Sequence, residues 1–521
     1  MTASDAPGQP AMSCATRSDG RRTALLAATL CLAVAPLLIC WPVPALLDYP
    51  NHLARMALLM RAASGNPHPD YEVVWSFIPN LAMDLVVPWL GRWMRIETAG
   101  LLFLLAGKAL LVVGAAALER TVKGRVAWAG FVAIIALWAA PFAWGFVNFE
   151  IGLGVSLIAL AGWLRLTRRP FLPWLAIWHA LACAALFSTH LFALGIYGWS
   201  VGICELWRWR RDEVSWGARL AITLVLALPP LALLLASRAS GASIGGDVTL
   251  WSLQGKAMFG LAANGFSQVA SAIVVGAAAL AAYVVWRRRE AAFIGAGGWL
   301  ALSYAALFAV MPNRIADTQF VDIRVVVAAF FVLPAFVEIR WHDRRGPRAA
   351  RAALVGLIGL TTTVAALHQA SFAPTYRALA RSFDQLPPRA RLLLAYDVET
   401  DTMPPSIWDF PFHHAAAPAV FRRDVYMQLF THAGMQTLQP ARHLGPIGAL
   451  SSGPVSVTSL AESWAPRAAT PDTPVWSRDF DYLYVFWLEG RPLPGPVAEG
   501  LRPIASGPRF TLYRIEKPTK P

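Results

Sequence analysis

The sequence predicts a mainly α-helical polytopic membrane protein that ends in a small extracytoplasmic α/β domain. Of the 521 residues, 56% are hydrophobic and 15% are charged, whereas soluble domains carry about 25% charged residues. Apolar runs close to the ~20 residues that cross a bilayer recur between residues 23 and 369. Beyond residue 370 the composition becomes that of a globular domain.

The charge of the chain also fits a membrane protein better than a nucleic-acid-binding protein. The formal net charge is +14 and the pI is about 10.0, values that would suit nucleic-acid binding. The basic residues, however, cluster in short runs between apolar segments, as in cytoplasmic loops. None of the five cysteines falls in the C-terminal region, so that region offers no disulfide framework and no CxxC metal site. We therefore predict a bilayer-embedded protein with no nucleic-acid partner.

The N-terminal end is predicted to be retained in the membrane. Residues 1–20 are small and polar, which favours a disordered cytoplasmic tail. The first apolar run, Thr23–Val43, resembles a signal peptide with a cleavage site at Val43-Pro44-Ala45. We favour an uncleaved anchor, because the apolar core is long and ends in two prolines, Pro42 and Pro44.

A transmembrane domain is predicted over residues 21–370, with eleven spans. After the first span, the outer loop 44–97 carries two amphipathic segments, Pro50–Ala63 and Leu81–Trp93, which we expect to be helices lying on the bilayer surface. The other ten spans are placed at about 98–118, 126–143, 149–165, 171–188, 191–207, 217–236, 268–286, 291–311, 323–339 and 350–369.

Alternate connections between these spans are basic, which predicts the orientation of the chain. The connections around 141–150, 188–191 and 237–267 are nearly free of Lys and Arg. The positive-inside rule then places the N-terminus in the cytoplasm and the loop after the first span outside, in a bacterial-type inner (plasma) membrane. With an odd number of spans, residues 371–521 also lie outside. The basic connections contain Arg120, Lys123 and Arg125; Arg165, Arg168 and Arg169; Arg208, Arg210 and Arg211; Arg287, Arg288 and Arg289; and Arg340, Arg344, Arg345 and Arg348.

The C-terminal region, residues 371–521, is predicted to be an α/β domain of ordinary size. Three segments have the pattern of strands, Arg391–Tyr396, Tyr482–Trp487 and Phe510–Ile515, and Val420–Phe430 is a candidate helix. The sequence contains neither of the glycine-rich patterns G-x-x-x-x-G-K-[ST] and G-x-G-x-x-G, so no nucleotide site is predicted.

Asp48, in the outer loop directly after the first span, is the strongest candidate for catalysis. Pro50 suits the first turn of a helix, so Asp48 should precede the positive end of that helix, where the ionised carboxylate is favoured. A carboxylate just outside the bilayer can act as a general base. The alternative is a helix-capping aspartate with no other role.

Further polar residues of the outer surface are candidates for binding a phosphate. His52 and Arg55 lie on the polar face of the same predicted helix, where they would bind an anionic headgroup or contact lipid phosphates. Arg314 and Arg324 belong to the last outer loop, and guanidinium groups are well suited to clamping a phosphate, although ion pairs within the loop are an alternative. Lys256, in a Gly/Ser-rich loop, is a further candidate.

Three residues in outer turns are predicted to support a cavity. Asn148 and Glu150 follow an aromatic-rich turn, and His190 lies in another tight connection. Ionisable residues at such positions usually face a cavity or a partner. His413 and His414, with His432 and His443, match no standard zinc spacing. No metal site and no cofactor are predicted, although a divalent metal stays an open alternative.

In the order of its spans, outer loop and C-terminal domain, the chain resembles the GT-C-type integral-membrane glycosyltransferases, which use polyprenyl-phosphate-linked sugars. Leu47-Asp48-Tyr49, followed by His52-Leu53-Ala54-Arg55 and Ser64-Gly65-Asn66, is similar to the first outer loop of that family, which carries an acidic residue right after the first span. Asp481-Tyr482-Leu483-Tyr484-Val485 and Phe510-Thr511-Leu512-Tyr513-Arg514 are similar to the last strands of its outer domains.

The resemblance implies a hexosyl- or pentosyltransferase of the cell envelope. A lipid-linked sugar would be the donor, the acceptor is unknown, and Asp48 would take the acceptor proton while cations stabilise the leaving lipid phosphate. One base without an evident nucleophile favours an inverting displacement. The alternatives are a transporter or flippase of lipid-linked intermediates, or a non-catalytic scaffold with the same fold. The sequence shows no inverted repeat of the kind that transporters carry.

Overall fold

The computed structural model describes residues 11–168, 171–242, 249–259, 262–315, 318–399, 412–431, 434–450, 452–463 and 475–517. In these ranges the α-helices are α1 (Ala11–Val34), α2 (Tyr49–Ala63), α3 (Ala82–Leu90), α4 (Ile96–Lys123), α5 (Ala129–Ile135), α6 (Ala140–Ala143), α7 (Val147–Leu166), α8 (Leu172–Thr189), α9 (Leu191–Arg210), α10 (Trp216–Ala239), α11 (Leu253–Phe259), α12 (Gln268–Arg287), α13 (Gly297–Val310), α14 (Val321–Val332), α15 (Arg345–Ser382), α16 (Pro418–Arg423), α17 (Val457–Glu462), α18 (Trp476–Asp479) and α19 (Gly495–Glu499). The strands are β1 (Tyr71–Val73), β2 (Thr249–Leu250), β3 (Ala291–Phe293), β4 (Arg314–Ile315), β5 (Thr318–Gln319), β6 (Val337–Ile339), β7 (Leu392–Tyr396), β8 (Leu438–Pro440), β9 (Val455–Ser456), β10 (Tyr482–Phe486), β11 (Leu501–Gly507) and β12 (Phe510–Ile515).

The predicted class, a mainly helical polytopic membrane protein with a small C-terminal sheet domain, is confirmed. Every one of the eleven predicted spans contains helical residues. Within the described residues, seven helices are long and apolar enough to cross a membrane, judged by length and composition. They are Asp19–Leu38, Ile96–Lys123, Val147–Leu166, Leu172–Thr189, Trp216–Ala239, Gln268–Arg287 and Arg345–Gln385.

Two of the predicted spans are broken into shorter pieces. Residues 126–143 form α5, a 3-10 turn and α6, with an extended residue, Ala139, before Pro141. Residues 323–339 form α14, a 3-10 turn that contains Pro334, and β6. Leu137 and Trp138 are fully buried by protein. The apolar character of the 126–143 segment therefore reflects packing inside the helix layer rather than a straight crossing.

Several of the basic connections meet at one end of the helices. The Arg22 guanidinium donates to the Val126 carbonyl at 2.9 Å, and Lys123 Nζ donates to the Pro334 carbonyl at 3.1 Å. Arg125 pairs with Glu338 in β6, which is itself hydrogen-bonded to β3. The connections that the charge pattern predicts to be cytoplasmic therefore come together in space.

The C-terminal sheet has the order β11-β12-β10-β7-β9. The strand β10 runs parallel to β7 and antiparallel to β12, so that Tyr482 stands between Leu392 and Arg514. These three strands match the three that the sequence predicts, whereas the predicted helix 420–430 is reduced to α16. The 38-residue helix α15 leads directly into this domain, where the Ser382 and Tyr484 hydroxyls lie 2.7 Å apart.

The outer loop 44–97 is joined to the C-terminal domain. The strand β1 pairs antiparallel with β8, with Tyr71 opposite Pro440. The Tyr71 hydroxyl donates to the Met427 carbonyl at 2.5 Å, and Arg61 pairs with Asp424. The first outer loop and residues 424–440 therefore form one continuous structure.

The environment of α2 differs from the bilayer surface that its sequence predicts. Its apolar face is buried, with Leu53 and Met56 fully covered, and its polar face is buried as well, at Asn51 and Arg55. The reason is α16 and the neighbouring C-terminal residues, which cover the polar face with polar partners. By contrast, α3 leaves apolar side chains such as Trp89 exposed, as an interfacial helix does.

Candidate active site

Asp48 is the last residue before α2, and its backbone is held by the turn that follows α6. The Leu47 amide donates to the Ala143 carbonyl and the Asp48 amide donates to the Trp144 carbonyl, each at 3.1 Å. Gly145 follows with φ +89°, and a β-carbon there would lie 2.9 Å from the Tyr49 nitrogen. A glycine is therefore required for this close approach of the two backbones. The turn therefore fixes the position of the Asp48 backbone, from which the side chain extends.

The Asp48 carboxylate makes no helix-capping hydrogen bond. Asp48 occupies the N-cap position of α2, but its backbone has right-handed helical dihedral angles, φ −93° and ψ −14°, instead of the extended conformation usual for a capping side chain. The side chain is 15% exposed. Burial raises the pKa of this carboxyl from its ordinary value to about 8. The carboxylate is therefore available for other chemistry and titrates near neutral pH.

Two residues one turn further along α2 lie on the same side as Asp48. Asn51 is fully buried; its Oδ1 accepts from the Phe430 amide at 3.3 Å, and its Nδ2 lies 3.3 Å from His414 Nδ1. The His52 ring lies 5.8 Å from that of Phe430, centroid to centroid. Its Nδ1 is buried without a hydrogen-bond partner among the described residues. Burial lowers the pKa of His52 to about 3, so the imidazole beside Asp48 is neutral.

Arg55 lies on this face as well, but its guanidinium is engaged in a buried ion pair. It donates to Asp84 Oδ1 at 2.8 Å and to the Gln436 side chain, and Asp84 Oδ2 accepts from the Thr437 hydroxyl at 2.6 Å. Only 4% of the Arg55 side chain and 2% of the Asp84 side chain are exposed. The pair ties α2 and α3 to the C-terminal domain, which is a structural position rather than an open phosphate site.

Arg324, near the start of α14, is enclosed by aromatic rings. Its guanidinium carbon lies 4.6 Å from the ring centre of Phe146 and 5.8 Å from those of Phe149 and Phe192. The Phe149 ring in turn contacts His190, with ring centroids 5.5 Å apart. His190 Nδ1 accepts from the Phe192 amide at 3.0 Å, so the imidazole caps α9 while it lines the Arg324 environment.

The surroundings of Arg324 join those of Asp48 through Trp144. The Trp144 carbonyl accepts from the Asp48 amide, and the Trp144 ring lies 5.8 Å from Phe146, centroid to centroid. Arg324 makes one hydrogen bond, to the Gln319 carbonyl at 3.4 Å, and its Nε is buried without a partner among the described residues. This guanidinium therefore keeps unused donor capacity.

The other two cations proposed from the sequence have protein surroundings of their own. Lys256 donates to Asp322 Oδ2 at 3.0 Å and to the Met311 carbonyl, and Asp322 also accepts from Asn313 at 2.6 Å. The Lys256 charge is thus balanced by a fully buried carboxylate. Arg314 is half-buried in β4, the middle strand of a small sheet with β2 and β5.

Asn148 and Glu150 position elements around the site. Asn148 accepts from the Met83 amide at 3.1 Å and donates to the Asn80 carbonyl at 2.7 Å, so it holds the start of α3 against α7. Glu150 pairs at 3.0 Å with Lys108, whose side chain is fully buried in α4. The Lys108 ammonium also lies 3.1 Å from the centre of the Phe142 ring in α6, the helix that precedes the turn holding Asp48.

The described histidines of the C-terminal region lie in different surroundings. Among the described residues, no group of three or more His, Cys, Asp and Glu side chains is arranged to hold a metal ion. His443 pairs with Asp70 at 2.9 Å, and the His413 and His414 rings pack against each other at 4.7 Å. His432 lies outside the described residues.

Three residues of this region carry contacts that sequence reasoning missed: His414, Asp84 and Lys108. The contact of Lys108 could be predicted from the sequence, because a lysine inside an apolar helix needs a partner and Glu150 is itself predicted to face a cavity or a partner. His414 lies with Nε2 3.7 Å from Asp48 Oδ1. Nothing local in the sequence connects two residues that stand so far apart in the chain.

A set of apolar helices long enough to cross a membrane, joined to a small mixed sheet, defines a polytopic membrane protein. Among solved structures, the chain is similar to ArnT from Cupriavidus metallidurans, a GT-C glycosyltransferase. Its apo structure gives a TM-score of 0.52 at 13% sequence identity and covers 96% of this chain and 98% of that one. The structure of ArnT bound to undecaprenyl phosphate gives 0.49 at 12% identity, covering 94% and 97%. No family model and no curated protein matches the sequence. The comparison establishes the fold and confirms the resemblance seen in the sequence.

Proposed function

We propose that the protein transfers a sugar, with inversion, from a polyprenyl-phosphate donor to an acceptor at the outer membrane face, with Asp48 as general base. The observation that carries the proposal is the Asp48 carboxylate, which is partly buried, free of a capping role and fixed at its backbone by the Trp144 turn. The fold shared with ArnT, a protein also solved with undecaprenyl phosphate bound, supports a lipid-linked donor.

The chemistry requires one proton transfer and one displacement. Asp48 accepts the proton of an acceptor hydroxyl as that oxygen forms a bond to the anomeric carbon of the sugar. The bond from this carbon to the phosphate oxygen breaks at the same time, and the polyprenyl phosphate leaves with the electron pair. A base that titrates near the working pH suits this step. Asp84 is occupied by Arg55 and Thr437, and no second free carboxylate accompanies Asp48 among the described contacts, which favours a single inverting displacement.

Arg324 is the cation best placed to stabilise the leaving phosphate. A phosphate needs hydrogen-bond donors that are not already neutralised. Arg55 is paired with Asp84 and Lys256 with Asp322, whereas Arg324 has aromatic neighbours and forms no ion pair with a described carboxylate. An unpartnered Nε is common to Arg55 and Arg324. We infer that the phosphate lies between Asp48 and Arg324, and that the sugar occupies the space next to the Trp144 turn.

The variant Asp48→Asn tests the proposal. Asparagine keeps the shape of the side chain but cannot accept the proton, so transfer should fall about 10²- to 10⁴-fold at unchanged protein level. Near neutral pH the melting temperature of the variant should equal or exceed that of the wild type, because asparagine does not ionise in the unfolded chain. The assay is release of polyprenyl phosphate from a panel of polyprenyl-phosphate-linked sugars by purified full-length protein. Asp70→Asn is the matched control, because Asp70 belongs to the same outer loop but pairs with His443 at the surface.

Two outcomes would overturn the proposal. Wild-type transfer by the Asp48→Asn protein would remove Asp48 from the chemistry. Movement of intact lipid-linked sugar across a vesicle bilayer, without cleavage of the sugar–phosphate bond, would identify a flippase instead.

A further inference from the structure

We propose that His414, from the C-terminal domain, is a positioning residue that donates a hydrogen bond to Asp48 Oδ1 and so leaves Oδ2 to accept the proton of the acceptor. The inference rests on the proposed function and adds to it a residue from a distant part of the chain. It makes the C-terminal domain a part of the catalytic site, in addition to a cover over α2.

The first step is the orientation of the Asn51 side-chain amide. The Phe430 backbone nitrogen can only donate, and its partner at 3.3 Å is Asn51 Oδ1. The other end of the amide, Nδ2, therefore faces His414 Nδ1 at 3.3 Å. An amide nitrogen can only donate, so His414 Nδ1 must be the acceptor and carries no proton.

The second step is the tautomer of His414. A neutral imidazole carries one proton, so an unprotonated Nδ1 places it on Nε2. His414 is fully buried, and burial holds its pKa well below the ordinary value for histidine, which keeps the ring neutral. Its Nε2 has no hydrogen-bond partner among the described residues and lies 3.7 Å from Asp48 Oδ1. The one N–H of the ring is therefore on the nitrogen that lies beside the carboxylate.

The third step is the distance, which exceeds the ~2.7–3.2 Å of a direct hydrogen bond. Hydrogen bonds within catalytic sites are often long without substrate and shorten when it binds. Among the described residues the Asp48 side chain makes no other hydrogen bond that would hold it away, and it does not cap α2. A small rotation closes the contact once the carboxylate is ionised, because an ionised acceptor attracts the N–H more strongly.

The consequence is a lower pKa for Asp48 than the site would otherwise have. A donor to the ionised form favours that form and opposes the effect of burial. Among the described residues, the other titratable groups near Asp48 and His414 are His52, His413 and Tyr49, with Arg55 further along α2. Burial lowers the pKa of His52 to about 3 and that of His413 to about 4, and raises that of Tyr49 above its ordinary value. Arg55 stays paired with Asp84. Of these described groups, Asp48 is thus the one that titrates between about pH 6 and pH 10.

The decisive experiment is the pH profile of transfer for His414→Phe and His414→Gln. Phenylalanine fills the space without a donor, so the pH at which Asp48 ionises should rise by about one pH unit. Transfer at about pH 7 should fall roughly tenfold and recover toward the wild-type rate at about pH 10. Glutamine can present an N–H near the position of Nε2 and should restore most of the profile. His413→Phe is the matched control, as a buried histidine in contact with His414, and should keep the wild-type profile.

A measurement without substrate separates this inference from the proposed function. Melting temperatures of purified wild type, Asp48→Asn, His414→Phe and the double variant form a thermodynamic cycle. We expect a stabilising coupling at about pH 10, where Asp48 is ionised, and little coupling at about pH 6. Absence of coupling at both pH values, or a His414→Phe profile that matches wild type, would overturn the inference. If the coupling is found but Asp48→Asn still transfers sugar, the contact stands as structural and the proposed function is the part that fails.

Discussion

At the scale of single residues, the site depends on which polar groups are already satisfied by the protein. Arg55 and Lys256 look like phosphate ligands in the sequence, yet each has a buried carboxylate partner, Asp84 and Asp322. Removing one member of a buried pair typically costs about 3 to 5 kcal/mol because the other charge is left uncompensated. These two cations therefore stabilise the fold, and Asp48 and Arg324 are the groups that we propose to contact the substrate.

The pH dependence of transfer follows from the buried carboxyl of Asp48. Its pKa of about 8 means that the carboxylate, the form able to act as a base, increases as the pH rises. We expect kcat/KM to rise about tenfold per pH unit below about pH 8 and to level off above it. A profile that falls with rising pH over this range would show that the protonated carboxyl is the active form.

The raised pKa of Asp48 also predicts that the stability of the fold falls as the pH rises, whereas the rate of transfer increases. The unfolded chain ionises Asp48 near pH 3.9, while the folded protein holds its proton until about pH 8. The stabilisation is complete below about pH 4 and is lost as the pH rises to about 8. Melting curves of wild type and Asp48→Asn should therefore diverge over this interval, with the asparagine variant losing less stability.

What the sequence could predict at this scale was the set of residue types, and what it could not predict was their partners. Asp48 was identifiable because charge patterning placed it just outside the first span. Its contact with His414 accompanies the packing of α16 against α2, two helices from distant parts of the chain. No local pattern encodes that packing, so His414 was interpreted only as one of several C-terminal histidines.

At the scale of elements, the turn between α6 and α7 sets the position of the acidic residue. The backbones of residues 47–48 and 143–144 are joined by two hydrogen bonds, and Gly145 permits the contact because it has no side chain. Sequence patterning predicts a single span across 126–143, because period and hydropathy do not distinguish a buried broken helix from a crossing one. The break in this segment is the feature that brings Trp144 to Asp48.

Gly145→Ala tests this arrangement. The added β-carbon would lie 2.9 Å from the Tyr49 nitrogen and 3.0 Å from that of Asp48, and the positive φ is unfavourable for alanine by about 1 kcal/mol or more. We expect a lower melting temperature and a loss of transfer that shows in kcat. Gly195→Ala, at a helical glycine with open space around it, should leave both unchanged. Full activity in Gly145→Ala would mean that Asp48 does not need this backbone contact.

At the scale of the whole molecule, the two ends of the helix layer differ in character. Basic connections meet at one end through Arg22, Lys123 and Arg125. At the other end lie Asp48, the outer loop and the C-terminal sheet, connected through α15. Hydropathy predicts the class and the order of the helices because a helix that crosses a bilayer needs about 20 apolar residues. It could not predict that loop 44–97 would pair with the C-terminal domain.

The difference between the basic end and the Asp48 end of the helices predicts the orientation of the protein in the membrane. The positive-inside rule places the basic end in the cytoplasm, so a reporter that is active only outside the cytoplasm should be active when fused after Tyr396 or at the C-terminus. A fusion in the Arg340–Arg348 connection should be inactive. The reverse pattern would put Asp48 on the cytoplasmic side and remove the basis for transfer at the outer face.

The central claim is that Asp48 faces the phosphate end of a lipid-linked donor, and a structure of the full-length protein with polyprenyl phosphate bound tests it most directly. We predict that the phosphate accepts hydrogen bonds from Arg324. The space for the sugar should lie between this phosphate and the Asp48 carboxylate. His414 Nε2 should have moved to hydrogen-bond distance from Asp48 Oδ1. A phosphate bound elsewhere, with Asp48 and Arg324 unchanged and remote from it, would contradict the account.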